Sequence, residues 1–163
     1  MSSEYQKRLK AIKRCFSFLL REFGFELVND QVSRYGVTAL YLSPAAGVEV
    51  CYQPRENGGI LVDLIRLIKG EVPSYPDSFV DGSTLHTFDF RDLLYLRKDL
   101  LEQDIREKLE KSIAFSAEEA ARLLKKYCND VLIGDFSIFS RLEEIVKQRA
   151  KALAEKYPIN DSA

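Results

Sequence analysis

Val37-Thr-Ala-Leu-Tyr-Leu42, Ser43-Pro-Ala-Ala-Gly47 and Val48-Glu-Val-Cys-Tyr52 form the stretch whose reading decides the fold. The outer two segments are rich in β-branched and aromatic residues and alternate with a period of two, as half-buried strands do. The middle one carries Pro44 and Gly47, which suit a turn because one presets φ and the other tolerates positive φ. With Leu42 opposite Val48, Leu40 meets Val50 and Thr38 meets Tyr52. The other face then pairs Tyr41 with Glu49 and Ala39 with Cys51.

Working outward, Gln53-Pro-Arg-Glu-Asn-Gly-Gly59 supplies a second turn, with Asn57-Gly58 as its strongest token. Pairing Tyr52 with Ile60 and Val50 with Val62 keeps an apolar face continuous, whereas a slip of one residue would set Asp63 against Val50. The same register puts Glu49 directly opposite Asp63. Phe25-Glu-Leu-Val28 reads as the first strand, turning at Asn29-Asp30, with Glu26 facing Arg34 and a bulge marked by Gly36. The expected fold is α+β: a four-stranded antiparallel meander within 25–68, one helix before it, about three after it, and residues 1–163 as a single domain. One sheet face would carry Leu40, Leu42, Val48, Val50, Ile60, Val62 and Leu64 under the helices. The second would mix Val37, Tyr41, Cys51, Leu61 and Ile65 with Glu49, Gln53 and Asp63.

The flanks read as helices. Tyr5, Leu9, Ile12, Phe16, Leu19, Leu20 and Phe23 recur at three- and four-residue steps up to Gly24, the stripe of one amphipathic helix. Phe90 to Ser112 reads as helix with a break near Asp99, and Asp89 suits its N-cap. Ser116-Ala-Glu-Glu119 is a capping box opening a helix to about Val131. Asp135 is placed to cap the last helix, whose stripe runs through Phe139, Leu142, Val146 and Leu153 and ends before Pro158.

At 163 residues the chain has the length of one domain and buries about two-thirds of its unfolded surface. A formal net charge of −1, from 24 basic and 25 acidic residues, speaks against nucleic acid as a partner, since such proteins carry a basic excess. No apolar run approaches the roughly 20 residues of a membrane span. Cys15, Cys51 and Cys128 are odd in number, widely spaced and set among apolar residues. They read as reduced thiols, which places the chain in a cytoplasm, bacterial or viral.

Two segments invite a functional reading. His86, the only histidine, lies close to Asp89 and Asp92, and a small enzyme site built on these three under a 69–83 loop is one hypothesis. That loop has two prolines, two glycines and the aromatic anchors Tyr75 and Phe79, and reads either as a closing lid or as a packed connector. No metal-ligand spacing, nucleophile elbow or Gly-rich phosphate loop accompanies it, so no cofactor or metal is expected.

The order of helix, strand meander and C-terminal helices, with Gly134-Asp-Phe-Ser137 leading into the last helix, resembles small bacterial proteins encoded beside toxin genes, of the immunity kind. The resemblance implies a non-catalytic partner of another protein and assigns no functional residue. The missing catalytic constellation, the balanced charge and eight tyrosines available as contact residues make a protein-binding module the expected function, immunity-like or chaperone-like, with Tyr41, Glu49 and Asp63 as the candidate contact residues. Like charges opposed across two strands destabilise a sheet by up to about 1 kcal/mol. Glu49 and Asp63 thus imply either a solvated pair or a face that receives a basic partner.

Overall fold

A computed structural model describes residues 3–54, 58–74 and 84–158. The chain enters through α1 (Ser3–Cys15) and α2 (Phe18–Phe23). The single helix expected here is broken at Phe16 and Ser17. Ser17 Oγ donates to the Arg14 carbonyl at 2.9 Å, holding the turn. The break sends Phe16, Phe18 and Leu19 into the core and leaves Leu20 outside. Gly24, at φ 70°, ends α2 in the left-handed conformation.

Among the described residues the sheet is antiparallel and has five strands in the order β1-β2-β3-β4-β5: Glu26–Ser33, Gly36–Leu42, Ala46–Tyr52, Ile60–Arg66 and Thr87–Asp89. The first four were expected and the fifth was not. Three residues are too few for a period to show, but β4 has a free edge, and β5 fills it by pairing Asp63 with Asp89, Leu64 with Phe88 and Ile65 with Thr87.

The pairing of β3 with β4 is the expected one, with Tyr52 opposite Ile60, Val50 opposite Val62 and Glu49 opposite Asp63. The pairing of β2 with β3 is one residue away from expectation: Tyr41 meets Val48, Leu40 meets Glu49 and Ala39 meets Val50. Ser43 is the cause. Its amide donates to the Ala46 carbonyl at 2.9 Å, and its Oγ accepts from the Ala46 amide at 3.0 Å. This closes the hairpin around Pro44 and Ala45 alone, so Gly47 belongs to the strand opposite Leu42. There a Cβ would press on Leu42 and Ile65, 3.1 and 3.2 Å away.

A one-residue shift exchanges every side chain between faces. Val37, Ala39 and Tyr41 are therefore the buried side of β2, while Leu40 and Leu42 lie on the other. β1 is likewise corrected. It runs unbroken from Glu26 to Ser33 instead of turning at Asn29, and its irregularity falls between Leu27 and Asn29 and not at Gly36. That extra residue lets Leu27 and Val32, of opposite parity, both pack against the core. Glu26 consequently faces Leu42 instead of Arg34. Gly36 serves a different need: at φ 153° it lies so close to β3 that a Cβ would stand 2.0 Å from the Tyr52 carbonyl oxygen.

After the sheet come α3 (Phe90–Leu96), a 3-10 turn (Lys98–Leu100), α4 (Gln103–Glu110), α5 (Ala117–Tyr127), α6 (Asn129–Leu132) and α7 (Phe139–Lys156). The turn at Lys98 realises the break expected near Asp99. Asp89 caps α3, accepting from the Arg91 amide at 2.8 Å, and Ser116 and Glu119 form the full capping box of α5. Three expectations fail here. About three helices are expected after the sheet, whereas five α-helices are described, because the chain turns at Lys98–Leu100, after Glu110 and at Cys128. The α5 segment ends at Tyr127, where Cys128 is fully buried. Asp135 closes the turn before α7, accepting from the Ser137 amide at 3.0 Å, while α7 itself starts at Phe139. Arg97 joins α3 to α6 through a two-pronged pair with Asp130, at 2.9 and 2.6 Å.

Leu9 and Ile12 of α1, Phe90, Leu93 and Leu94 of α3, and Leu123 and Leu124 of α5 share one hydrophobic cluster with Val48, Val50, Val62 and Leu64 of the sheet. Helices are thus gathered on one sheet face, the usual two-layer solution for an antiparallel α+β domain. No helix among the described residues is long and apolar enough to cross a membrane.

Candidate binding face

The second sheet face is built by the residues that alternate with that core. Leu40 and Leu42 come from β2, Glu49 and Cys51 from β3, Leu61, Asp63 and Ile65 from β4, and Asp89 from β5. None of the apolar members belongs to the helix-covered cluster or packs against it. All are half-buried except Ile65, which is 4% exposed.

Across the middle of this face, Leu40, Glu49, Asp63 and Asp89 are successive partners on four adjacent strands. Three of these four are acids. Burial first, then the Asp89 and Glu49 carboxylates, push Asp63 up to about 6. Burial also raises Asp89, while its bond to the Arg91 amide and the charges of Arg91 and Arg149 pull it back. The Cys51 thiol lies 3.7 Å from both Thr38 Oγ1 and Glu49 Oε1, and burial pushes it up to about 11, which disfavours its thiolate at neutral pH. Among the described residues, no three His, Cys, Asp or Glu groups are placed to hold a metal ion.

Of the three candidate contacts, Glu49 and Asp63 stand together as expected and Tyr41 does not. Tyr41 is on the covered face opposite Val48, and its phenol is pushed up to about 12 by burial and then by Asp30. The neighbour of Glu49 on β2 is Leu40, a contact missed because β2 has similar apolar content on both faces. Tyr75 and Phe79 lie outside the described residues.

The alternative site involves His86, Asp89, Asp92 and the 69–83 loop, of which 75–83 lie outside the described residues. His86 accepts through Nδ1 from Arg66 Nε at 3.1 Å, and burial followed by the Arg66 charge lowers its pKa. Asp89 is the cap of α3, and Asp92 is paired with Arg149 at 2.8 Å. Strand alternation also sends His86 and Asp89 to opposite sides of the sheet. Open clefts also occur elsewhere among the described residues. One, of about 460 Å³, lies between the β2–β3 turn (Pro44, Ala45) and α6 (Leu132, Ile133). Another, of about 200 Å³, lies between Arg91, Tyr95 and Arg149. In the first, the one charged wall, Glu22, is tied to Lys125 at 2.8 Å. In the second, Arg91 is spent on the Ile113 and Lys108 carbonyls.

Comparison with protein-family models, with curated proteins and with solved structures finds no match.

Proposed function

We propose that this chain is a non-catalytic protein-binding domain, of the immunity kind, that receives a basic partner surface on its second sheet face. The observation that carries the reading is the row Leu40–Glu49–Asp63–Asp89, set among Leu42 and Leu61 on a face separate from the core. Opposed acids cost the isolated fold stability. A cationic partner turns that cost into attraction, and the leucines beside them supply apolar area that water otherwise covers. The rigidity of a five-stranded sheet holds both features in place without ordering on binding.

The test uses an amphipathic helical peptide of leucine and lysine as a probe and the double variant Glu49→Gln/Asp63→Asn. The native protein binds the probe in a salt-sensitive way, and the variant binds it about tenfold more weakly while its own stability rises. Equal binding by both proteins would refute the assignment of the face.

A further inference from the structure

The last helix leaves the body of the protein before it ends. Its apolar residues Phe139, Leu142, Val146, Ala150, Leu153 and Tyr157 recur at three- and four-residue steps, a single stripe along α7. Phe139 and Leu142 are buried and Val146 packs on the core, but Leu153 is 55% exposed and Tyr157 65%. From Lys151 to Pro158 every residue is exposed. At 1.5 Å per residue, the stretch from Ala150 to Tyr157 carries the stripe roughly 10 Å past its last packed turn. Arg149, held by Asp92 at 2.8 Å, sets the direction in which this end is presented. Within residues 150–158 the charges are Lys151 and Lys156, which flank the stripe, and Glu155, a small basic excess.

The chain thus displays two surfaces that complement one another, an acidic, leucine-lined sheet face and a basic, leucine-bearing helix end. Within one molecule they do not cover each other, because Leu153 and Tyr157 stay exposed and Leu40, Leu42 and Leu61 stay outside the core. We propose that they meet between two copies: the end of α7 from each copy lies on the second sheet face of the other. Lys151 and Lys156 then approach the Glu49–Asp63 row, and Leu153 and Tyr157 settle on Leu40, Leu42 and Leu61. Each copy contributes one helix and one face, and with both contacts made reciprocally the pair is a closed two-fold dimer. The proposal rests on the reading of the face as a receptor for basic, apolar surfaces, and makes the resident occupant a second copy of the chain.

Equilibrium sedimentation of the full chain tests it. The native protein is expected to be a dimer in the micromolar range that dissociates as salt is raised. Leu153→Asp and Glu49→Lys should each be monomeric with unchanged circular dichroism, since neither position lies in the core. Mixed in equal amounts, the two variants should recover a weaker dimer, because the intact helix end of the Glu49→Lys copy still fits the intact face of the Leu153→Asp copy. A native chain that stays monomeric at high micromolar concentration overturns the proposal, as does a dimer that either variant retains or a mixture that fails to associate. The leucine–lysine peptide separates this failure from failure of the face itself. A monomer that binds the peptide through Glu49 and Asp63 keeps the receptor reading and loses only self-association.

Discussion

Glu49 on β3 and Asp63 on β4 are direct partners in the antiparallel ladder, and Asp89 on β5 stands opposite Asp63 on its other side. Asp63 is thereby flanked by an acid on each neighbouring strand, at the centre of a sheet face that the helices leave aside. No cation among the described residues is paired with Asp63. The fold tolerates this arrangement by holding Asp63's proton more tightly than an unfolded chain would.

That has a signed consequence for stability. The Asp63 carboxyl rises from an ordinary 3.8 to about 6 on folding. Between those values the folded chain binds more proton than the unfolded one, so stability falls as pH rises through the window. Asp63→Asn removes this loss. Urea unfolding of native and variant proteins should give curves that converge near pH 4 and separate by pH 7 in favour of the variant, by at most about 3 kcal/mol. Parallel curves across the window would show that Asp63 is not the group responsible.

A second expectation concerns Tyr41. Its hydroxyl is buried and has no hydrogen-bond partner among the described residues. A buried hydroxyl without a partner costs stability, so Tyr41→Phe should be neutral or stabilising by about 1 kcal/mol in chemical denaturation. A loss of stability of that size or more would mean that the phenol makes a bond essential to the fold.

The cysteines offer a third. All three are unpaired, Cys128 fully buried and Cys15 and Cys51 half-buried. Burial raises the Cys51 and Cys128 thiols, which suppresses the reactive thiolate. Thiol reagent at neutral pH should therefore label Cys15 first and Cys128 only on unfolding. Mass spectrometry after alkylation of unreduced, unfolded protein should count three modified cysteines, and any lower count would reveal a disulfide.

The parts of this protein legible in its sequence are those with a strong local signal. Alternation and turn chemistry placed β2, β3 and β4, and the cost of burying Asp63 selected the β3–β4 register, hence the Glu49–Asp63 pair. Capping chemistry located Asp89 and the Ser116–Glu119 box, because a cap is decided within four residues. What tertiary structure alone decided lies where local signals tie. In β2, Val37, Ala39 and Tyr41 on one side balance Thr38, Leu40 and Leu42 on the other, so the pattern does not choose a buried face. The choice falls to Ser43, which closes the turn one residue earlier than Gly47 implies. β5 exists because β4 has an edge to fill, a demand that three residues of sequence do not announce. Likewise the stripe of α7 has the same spacing throughout its length. Only the extent of the core determines that Leu142 is buried and Leu153 is not, since burial depends on what another part of the chain brings to meet it.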